Sequence, residues 1–251
     1  MGDSYVVRGR KQTLNDATET MIDDGGQEAS IAALVPMRHN SERVPGKNYR
    51  DFAGDPLYVH ILSQLQEVTA IDEIVVNTDS PKIMEGVAER FPDVRLIERP
   101  ESLQGGEVPM NDVLMHDTEI VDADFYLQTH STNPLLRADT IRAAIQQFMD
   151  AYPSRDSLFS VTSVQTRFWD DLARPVNHNP DILLRTQDLP PLYEENSCIY
   201  LFTRKILEQR RNRIGRRPIL FEIDVEEAID IDEEIDFTMA EIMFEEREQD
   251  T

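Results

Sequence analysis

The sequence is poor in cysteine, in lysine and in long apolar runs, and each shortage excludes a class of protein. A single cysteine, Cys198, excludes an intramolecular disulfide framework. No apolar run approaches the roughly 18 residues that a transmembrane helix needs. Residues 1–30 also lack the hydrophobic region of a signal peptide. These absences predict a soluble, cytoplasmic protein.

Positive charge is scarce as well. The chain has 25 basic residues, only four of them lysines, against 48 acidic residues, and its net charge is −23. A surface of this kind repels nucleic acid and anionic membranes, so we expect neither as a partner. Otherwise the composition is that of a globular protein, with 40% hydrophobic and 29% charged residues. A length of 251 residues suits one substantial α/β domain.

The chain divides into a polar start and a regular remainder. Residues 1–29 show no apolar period, and we expect them to form a flexible N-terminal extension outside a domain that spans 30–250. From Ile31 onward, short apolar runs alternate with helical periodicity. Strands are predicted at 31–35, 73–77, 94–97, 125–127, 158–164, 198–202 and 218–223, and helical stripes at 58–65, 84–91, from 109, 141–148 and 235–242. This alternation predicts an α/β fold with a mostly parallel central sheet flanked by helices.

One segment breaks the alternation. Residues 165–195 contain four prolines and little helical periodicity. We therefore expect an excursion from the sheet, used for dimerisation or as a lid over the substrate.

A basic segment follows the first predicted strand. Residues 38–50 contain Arg38, Arg43, Lys47 and Arg50, with Glu42 as the single acidic residue. Ligands of parallel sheets bind at the carboxyl ends of the strands, and guanidinium, ammonium and turn amides suit phosphate groups. The glycine spacing is not that of a Walker loop. The segment indicates either a phosphate site or a basic loop without a ligand.

An acidic segment lies near the end of the chain. If Ile229–Asp232 is extended, Asp230 and Asp232 share one face while the two isoleucines pack inward. Two carboxylates on one face suit Mg²⁺, which is usually shared with substrate phosphates. The alternative is that such a pair occurs by chance in a chain with 48 acidic residues.

Taken together, the two segments resemble those of the acylneuraminate cytidylyltransferases, the CMP-sialic acid synthetase family. The run Ala33–Asn48 is similar to the signature loop of that family, and Ile229–Asp236 is similar to its metal-binding segment. Further matches follow in order at Val75–Ser80, Arg99–Leu103, Leu127–Gln128, Asn133–Leu135 and Leu189–Tyr200. The resemblance covers Ile31 to Glu246.

This resemblance implies a nucleotide-diphospho-sugar transferase-like, Rossmann-like fold that activates a 2-keto-3-deoxy sugar acid with CTP and releases pyrophosphate. It implies Mg²⁺ as the cofactor and a homodimer formed through the 165–195 excursion. The carried-over roles are triphosphate binding for Arg38, Ser41 and Lys47, nucleotide-pocket positions for Asn48 and Arg99, Mg²⁺ ligation for Asp230 and Asp232, and sugar-acid contact for Gln128, Thr132, Tyr193 and Asn196. As catalytic residues, Arg38 and Lys47 would stabilise departing pyrophosphate and Asp232 would accept a proton.

The chain departs from this family around the expected sugar pocket. The run Thr129–Pro134 is longer than its counterpart in sialic acid enzymes, and Glu194 and Ser197 stand where many relatives have arginine and glycine. We therefore expect a pocket that differs from that of an N-acetylneuraminate enzyme. His130 is a further candidate, because it follows a strand at the ligand-binding edge.

Two other functions fit the same motifs. A nucleotide-sugar-dependent glycosyltransferase would consume an activated sugar and release no pyrophosphate. A catalytically silent, nucleotide-binding regulatory protein would be favoured by loss of residues such as Lys47 or Asp232, and both are present.

Overall fold

The fold is built on one large sheet with helices packed on both faces. A computed structural model describes residues 6–7 and 29–249. The strands of the large sheet are β1 (Val6–Val7), β2 (Ile31–Met37), β5 (Glu73–Thr78), β6 (Arg95–Glu98), β7 (Phe125–Gln128), β8 (Ser157–Val164), β9 (Leu192–Phe202) and β10 (Pro218–Glu222), and a separate hairpin pairs β3 (Asp51–Phe52) with β4 (Asp55–Pro56). The α-helices are α1 (Leu57–Gln66), α2 (Pro81–Arg90), α3 (Met110–Ile120), α4 (Ala138–Ala151), α5 (Arg204–Arg210) and α6 (Glu234–Gln249).

The sheet is mostly parallel, as the alternation of strands and helices predicted. Within the described residues, its order is β1-β10-β8-β9-β7-β2-β5-β6. Only β9 runs against its neighbours, pairing antiparallel with β7 and β8. The other pairs are parallel. The prediction of the fold class is confirmed.

Strand β2 lies at the centre and is buried along its whole length. Successive side chains of a strand point to opposite faces. Accordingly Ala33 and Val35 pack with α1, α2 and α4, whereas Ala32 and Leu34 pack with α3 and α5. The continuous apolar run at 31–35 therefore reflects a strand covered by helices on both faces.

The excursion begins where predicted but ends earlier. Residues 192–195 belong to β9, because their backbone pairs with β8 from Val164↔Leu192 to Val161↔Glu195. The expectation of a strand that starts at Cys198, and of an excursion that reaches 195, was therefore wrong by several residues. Between the two strands the chain has an isolated bridge, Trp169↔Pro175, and one short 3₁₀ turn, Thr186–Asp188.

The last helix is present, but its predicted apolar stripe does not face the core. Ile235, Met239 and Ile242 are each at least half exposed, whereas Phe237 and Ala240 are buried. Phe237 packs edge-on against Phe52, with ring centres 5.5 Å apart. Phe237 and Ala240, with the partly buried Met243 and Phe244, pack in one cluster with Phe52, and this cluster sets the rotation of the helix.

The predicted N-terminal extension is described only in small part. Val6–Val7 pair in parallel with Leu220 and Phe221 of β10. Residues 1–5 and 8–28 lie outside the described residues, so the expectation of a flexible extension stays a prediction.

In the part of the chain that the structure describes, no helix has the length and apolar character needed to cross a membrane. The cytoplasmic location stays a prediction from the sequence.

Candidate active site

The basic segment forms a tight loop at the carboxyl end of β2. Gly46 has a left-handed backbone, with φ of +67°, and a Cβ there would lie 2.8 Å from the Tyr49 ring, so the turn requires glycine. Asn48 fastens the loop, because its Nδ2 donates to the carbonyl of Arg38 at 2.7 Å and its Oδ1 accepts from Ser131 Oγ at 2.8 Å. Asn48 therefore holds the loop against the segment that follows β7.

The acidic segment lies against this basic loop. Lys47 Nζ donates a hydrogen bond to the carbonyl of Ile231 and lies 3.7 Å from Oδ1 of Asp232. Arg43 approaches the other oxygen of Asp232 at 2.9 Å. Two charged segments that are far apart in the sequence thus form one surface at the carboxyl edge of the sheet.

Backbone and side-chain bonds hold the acidic segment in place. Ile231 N donates to the carbonyl of Thr132 at 2.9 Å, while the Ile231 side chain is fully buried. Oδ2 of Asp236 accepts from the backbone N–H groups of Asp232 and Glu233, at 3.1 and 2.7 Å. The third aspartate of the motif therefore fixes the segment at the start of α6.

Burial shifts the pKa values of Lys47 and Asp230. It lowers the pKa of Lys47, and the negative charges of Asp230 and Asp232 oppose that shift. It raises the pKa of Asp230, with Thr132 and Lys47 opposing and Asp232 adding to the rise. Both groups therefore lie in a partly desolvated site, where electrostatic interactions are stronger than in water.

A cavity of about 450 Å³ opens over this surface. Most of the sequence-predicted site residues line it, namely Arg38, Ser41, Lys47, Asn48, Arg99, Thr132, Asp230 and Asp232. Other lining residues were not assigned a binding role from the sequence, including Arg43, Glu107, Met110, Ser131 and Ser197. His130 also lines the cavity, at the position that drew attention to it in the sequence.

Arg99 is held in the cavity wall by a buried network. Its side chain is nearly inaccessible, and its Nε and Nη2 donate to the Oδ1 and carbonyl oxygen of Asn77, at 2.6 and 3.0 Å. Asn77 in turn donates to Asp117 Oδ1 at 2.5 Å. The run Val75–Ser80 is among the matches to the family, but nothing in the sequence pointed to Asp117 on α3.

Three predicted sugar-contact residues lie apart from this cavity. Gln128 is fully buried, accepts from Arg213 Nη1 at 2.6 Å and lies 2.8 Å from His130 Nε2. Tyr193 sits on β9 opposite Ser163 and lines neither this cavity nor the neighbouring one. Asn196 lines a second cavity of about 350 Å³, which shares Ser197 and Asp230 with the first.

The acidic pair fits a divalent cation that is shared with a ligand. Oδ1 of Asp230 is buried without a hydrogen-bond partner, and a carboxylate oxygen is a hard donor suited to Mg²⁺. Over the described residues, no group of three His, Cys, Asp or Glu side chains converges as a metal site. The two carboxylates would therefore need further oxygen ligands from water or phosphate.

Comparisons with known proteins agree with this geometry. A profile of the cytidylyltransferase family matches residues 32–249. An N-acylneuraminate cytidylyltransferase of Oncorhynchus mykiss is 26% identical over 237 residues, covering 92% of this chain and 54% of that protein. The chain thus spans about half the length of this relative. A CMP-N,N'-diacetyllegionaminic acid synthase of Legionella pneumophila is 27% identical over 229 residues, covering 86% of this chain and 96% of that protein.

A solved structure has a similar fold. CMP:2-keto-3-deoxy-manno-octonic acid synthetase, complexed with CTP, superposes with a TM-score of 0.67 at 16% identity, covering 87% of this chain and 100% of that one. At this identity the likeness shows the fold alone. Because the family profile spans most of the chain, the protein belongs to the cytidylyltransferase family and is a nucleotidyltransferase.

Proposed function

We propose that the protein transfers the CMP group of CTP to a 2-keto-3-deoxy sugar acid of the nonulosonic acid type, giving a CMP-sugar and pyrophosphate. The observation that carries this proposal is the meeting of Arg38, Lys47 and the Asp230–Asp232 pair in one cavity. The names of the trout and Legionella relatives, which both act on nonulosonic acids, support the substrate class.

The chemistry asks for charge neutralisation and for very little covalent participation by the protein. Arg38 and Lys47 bind the β- and γ-phosphates and stabilise the pyrophosphate as it leaves. Arg99, fixed by Asn77, lines the nucleotide pocket. Asp232 accepts the proton of the anomeric hydroxyl as its oxygen attacks the α-phosphorus.

Asp230 and Asp232 are the residues that would hold Mg²⁺. When bound, the cation supplies positive charge that polarises the α-phosphate and the attacking oxygen. The unpartnered oxygen of Asp230 supports this assignment, because a buried carboxylate oxygen without a donor is costly and a cation would satisfy it.

The excursion supports a homodimer. Apolar side chains are exposed along it, at Trp169, Leu172, Val176, Ile182, Leu183 and Leu184. Exposed apolar residues clustered on one segment are typical of an interaction surface.

Pyrophosphate release tests the proposal. Purified protein with Mg²⁺ would be given each of the four nucleoside triphosphates and a panel of 2-keto-3-deoxy sugar acids, at low and high salt. We expect release with CTP and at least one acid, and loss of release in EDTA. Silence across the panel would contradict the proposal.

Asp230→Asn and Asp232→Asn test the roles of the two carboxylates, with the exposed Asp122→Asn as a matched control. We expect each active-site change to lower turnover about 10²-fold or more. Asp230→Asn should not lower the unfolding temperature, because burial already disfavours the charged carboxylate. Turnover within about threefold of wild type in both variants would overturn the assignment.

A further inference from the structure

The second cavity adjoins the first but has a different electrostatic character. Its lining residues are Thr162, Glu194, Glu195, Asn196, Ser197, Val225, Ala228 and Asp230. None of them is cationic, whereas the first cavity is lined by Arg38, Arg43, Lys47 and Arg99. A ligand that bridges the two cavities would therefore place its anionic groups in the first and its uncharged or cationic groups in the second.

Glu194 and Glu195, together with the shared Asp230, give the second cavity its acidic character. The two glutamates lie side by side on β9, paired with Thr162 and Val161 of β8. Glu195 accepts a hydrogen bond from the hydroxyl of Tyr200. Glu194 is exposed and has no ion-pair partner within residues 29–249. Its charge is therefore available to a ligand.

Ser197 stands at the junction of the two cavities in a strained conformation. Its φ is +61°, in the left-handed region that favours glycine, and it lines both cavities. Its Oγ lies 3.2 Å from the hydroxyl of Tyr200. Residues kept in such a conformation cluster at ligand sites, and an observed outlier of this kind supports a functional role.

The neighbouring Asn196 leaves one donor unused. Its Oδ1 accepts from Ser160 Oγ at 2.5 Å and from the backbone N–H of Cys198 at 3.3 Å. Its Nδ2 is buried without a partner. A buried donor of this kind is costly unless an acceptor completes it.

We propose that the second cavity is a specificity subsite, in which Ser197 hydrogen-bonds the sugar acid and Glu194 selects hydroxyl-bearing or cationic substituents over anionic ones. This inference rests on the proposed function, because it concerns the acceptor of the same reaction. It assigns the choice of acceptor to Glu194 and Ser197, two of the positions at which the chain departs from the family pattern.

Ser197 is tested by Ser197→Gly with Ser197→Ala as the matched variant. Glycine removes both the backbone strain and the hydroxyl, whereas alanine removes the hydroxyl alone. We expect Ser197→Gly to raise the unfolding temperature by about 2 °C. Both variants should raise KM for the sugar acid about fivefold and leave KM for CTP within about twofold.

If Ser197 had only a structural role, its substitution would not raise KM for the sugar acid while leaving KM for CTP unchanged. If Ser197→Gly raised the unfolding temperature and left KM for the sugar acid unchanged, Ser197 would have no part in acceptor binding. An equal rise in KM for CTP and for the acid would likewise overturn its assignment to the acceptor.

Glu194 is tested with three forms of one sugar acid, in which a distal amino group is free, acetylated or succinylated. We expect the anionic succinyl form to have the lowest kcat/KM, about fivefold below the free amine at low salt, with a smaller difference at high salt. Glu194→Gln should remove most of this discrimination, whereas the exposed control Glu89→Gln should retain it. Equal or better use of the succinyl form by the wild type would overturn the subsite.

These outcomes are distinct from failure of the proposed function. If no acid supports pyrophosphate release from CTP, the function itself fails. If release occurs but does not depend on the substituent charge or on Ser197, only the subsite fails.

Discussion

Lys47 and Asp232 lie in one ion pair, with Nζ 3.7 Å from Oδ1, and this pair joins the basic loop after β2 to the acidic segment before α6. Each segment alone has a plain alternative, a basic surface loop or a chance pair of aspartates. Their contact in a shared cavity favours a binding site over both alternatives, since opposite charges from distant parts of the chain lie around one space.

Lys47→Met should lower kcat/KM for pyrophosphate release about 10²-fold or more, because it removes a partly desolvated ammonium that lies 3.7 Å from Asp232 in the proposed phosphate site. The change keeps an unbranched side chain, one atom shorter, and removes its charge. Steady-state kinetics would measure the effect, with Lys205→Met on exposed helix surface as the control. A loss of less than about threefold would show that Lys47 does not stabilise the leaving group.

His130 should make the fold sensitive to mild acid. Burial, together with the positive charges of Arg213 and Lys47, lowers the pKa of His130 to about 3, from an ordinary value of 6.5. The imidazole of His130 is therefore protonated below about pH 6.5 in the unfolded chain but only below about pH 3 in the folded chain. The free energy of unfolding consequently falls as the pH falls through this window.

The measurement is thermal unfolding of wild type and His130→Gln at pH 7 and pH 5. His130 should account for up to about 2 kcal/mol of lost stability at pH 5, which corresponds to about 5 °C in this size range. The wild type should therefore lose about 5 °C more than the variant. Parallel losses in the two proteins would show that His130 is protonated in the folded state.

Asn77→Ala should weaken nucleotide binding from a distance. It removes the group that holds the guanidinium of Arg99, so KM for CTP should rise about tenfold, the effect of losing a charged hydrogen bond, while kcat changes less. Asp117→Asn is the matched change one step further along the network. Burial raises the pKa of Asp117, so this variant should keep both KM and the unfolding temperature.

Titration of CTP binding by calorimetry would separate the two variants of this network. If Asp117→Asn weakened binding as much as Asn77→Ala, the charge of Asp117 rather than the position of Arg99 would be the important factor.

Leu183→Asp should prevent the proposed homodimer from forming, because the Leu183 side chain is 90% exposed among the apolar residues of the excursion. Light scattering after size exclusion would measure the mass of each form. Met239→Asp, on the exposed apolar face of α6, is the control and should leave a dimer. The opposite result would place the interface on α6.

Much of the fold could be predicted because most of its strands and helices are marked by patterns within a short stretch of sequence. Strands such as β2 and β5 are visible in the sequence as short apolar runs, and the buried face of α1 is visible as apolar residues at helical spacing. The first half of β9 could not be found in this way. Tyr193 to Asn196 are polar or partly exposed, and they form a strand only because their backbone pairs with β8.

The site residues likewise divide into those that sequence motifs reveal and those whose surroundings depend on distant parts of the chain. Motif spacing was enough to bring together Arg38, Lys47 and the two aspartates. The environment of Gln128 depends on Arg213, which comes from a distant loop and occupies the amide. A resemblance assigned from aligned positions cannot detect a partner of this kind, and the same is true of Asp117 beneath Arg99.

The excursion leaves the sheet from β8 and returns through β9, and the pairing of Val164 with Leu192 fixes its two ends side by side. Insertions or deletions between these anchors should leave the strand register, and therefore the first cavity, unchanged. The segment is thus a natural site for recombination, where exchange between homologous enzymes would vary an exposed apolar surface while the elements around that cavity are inherited intact.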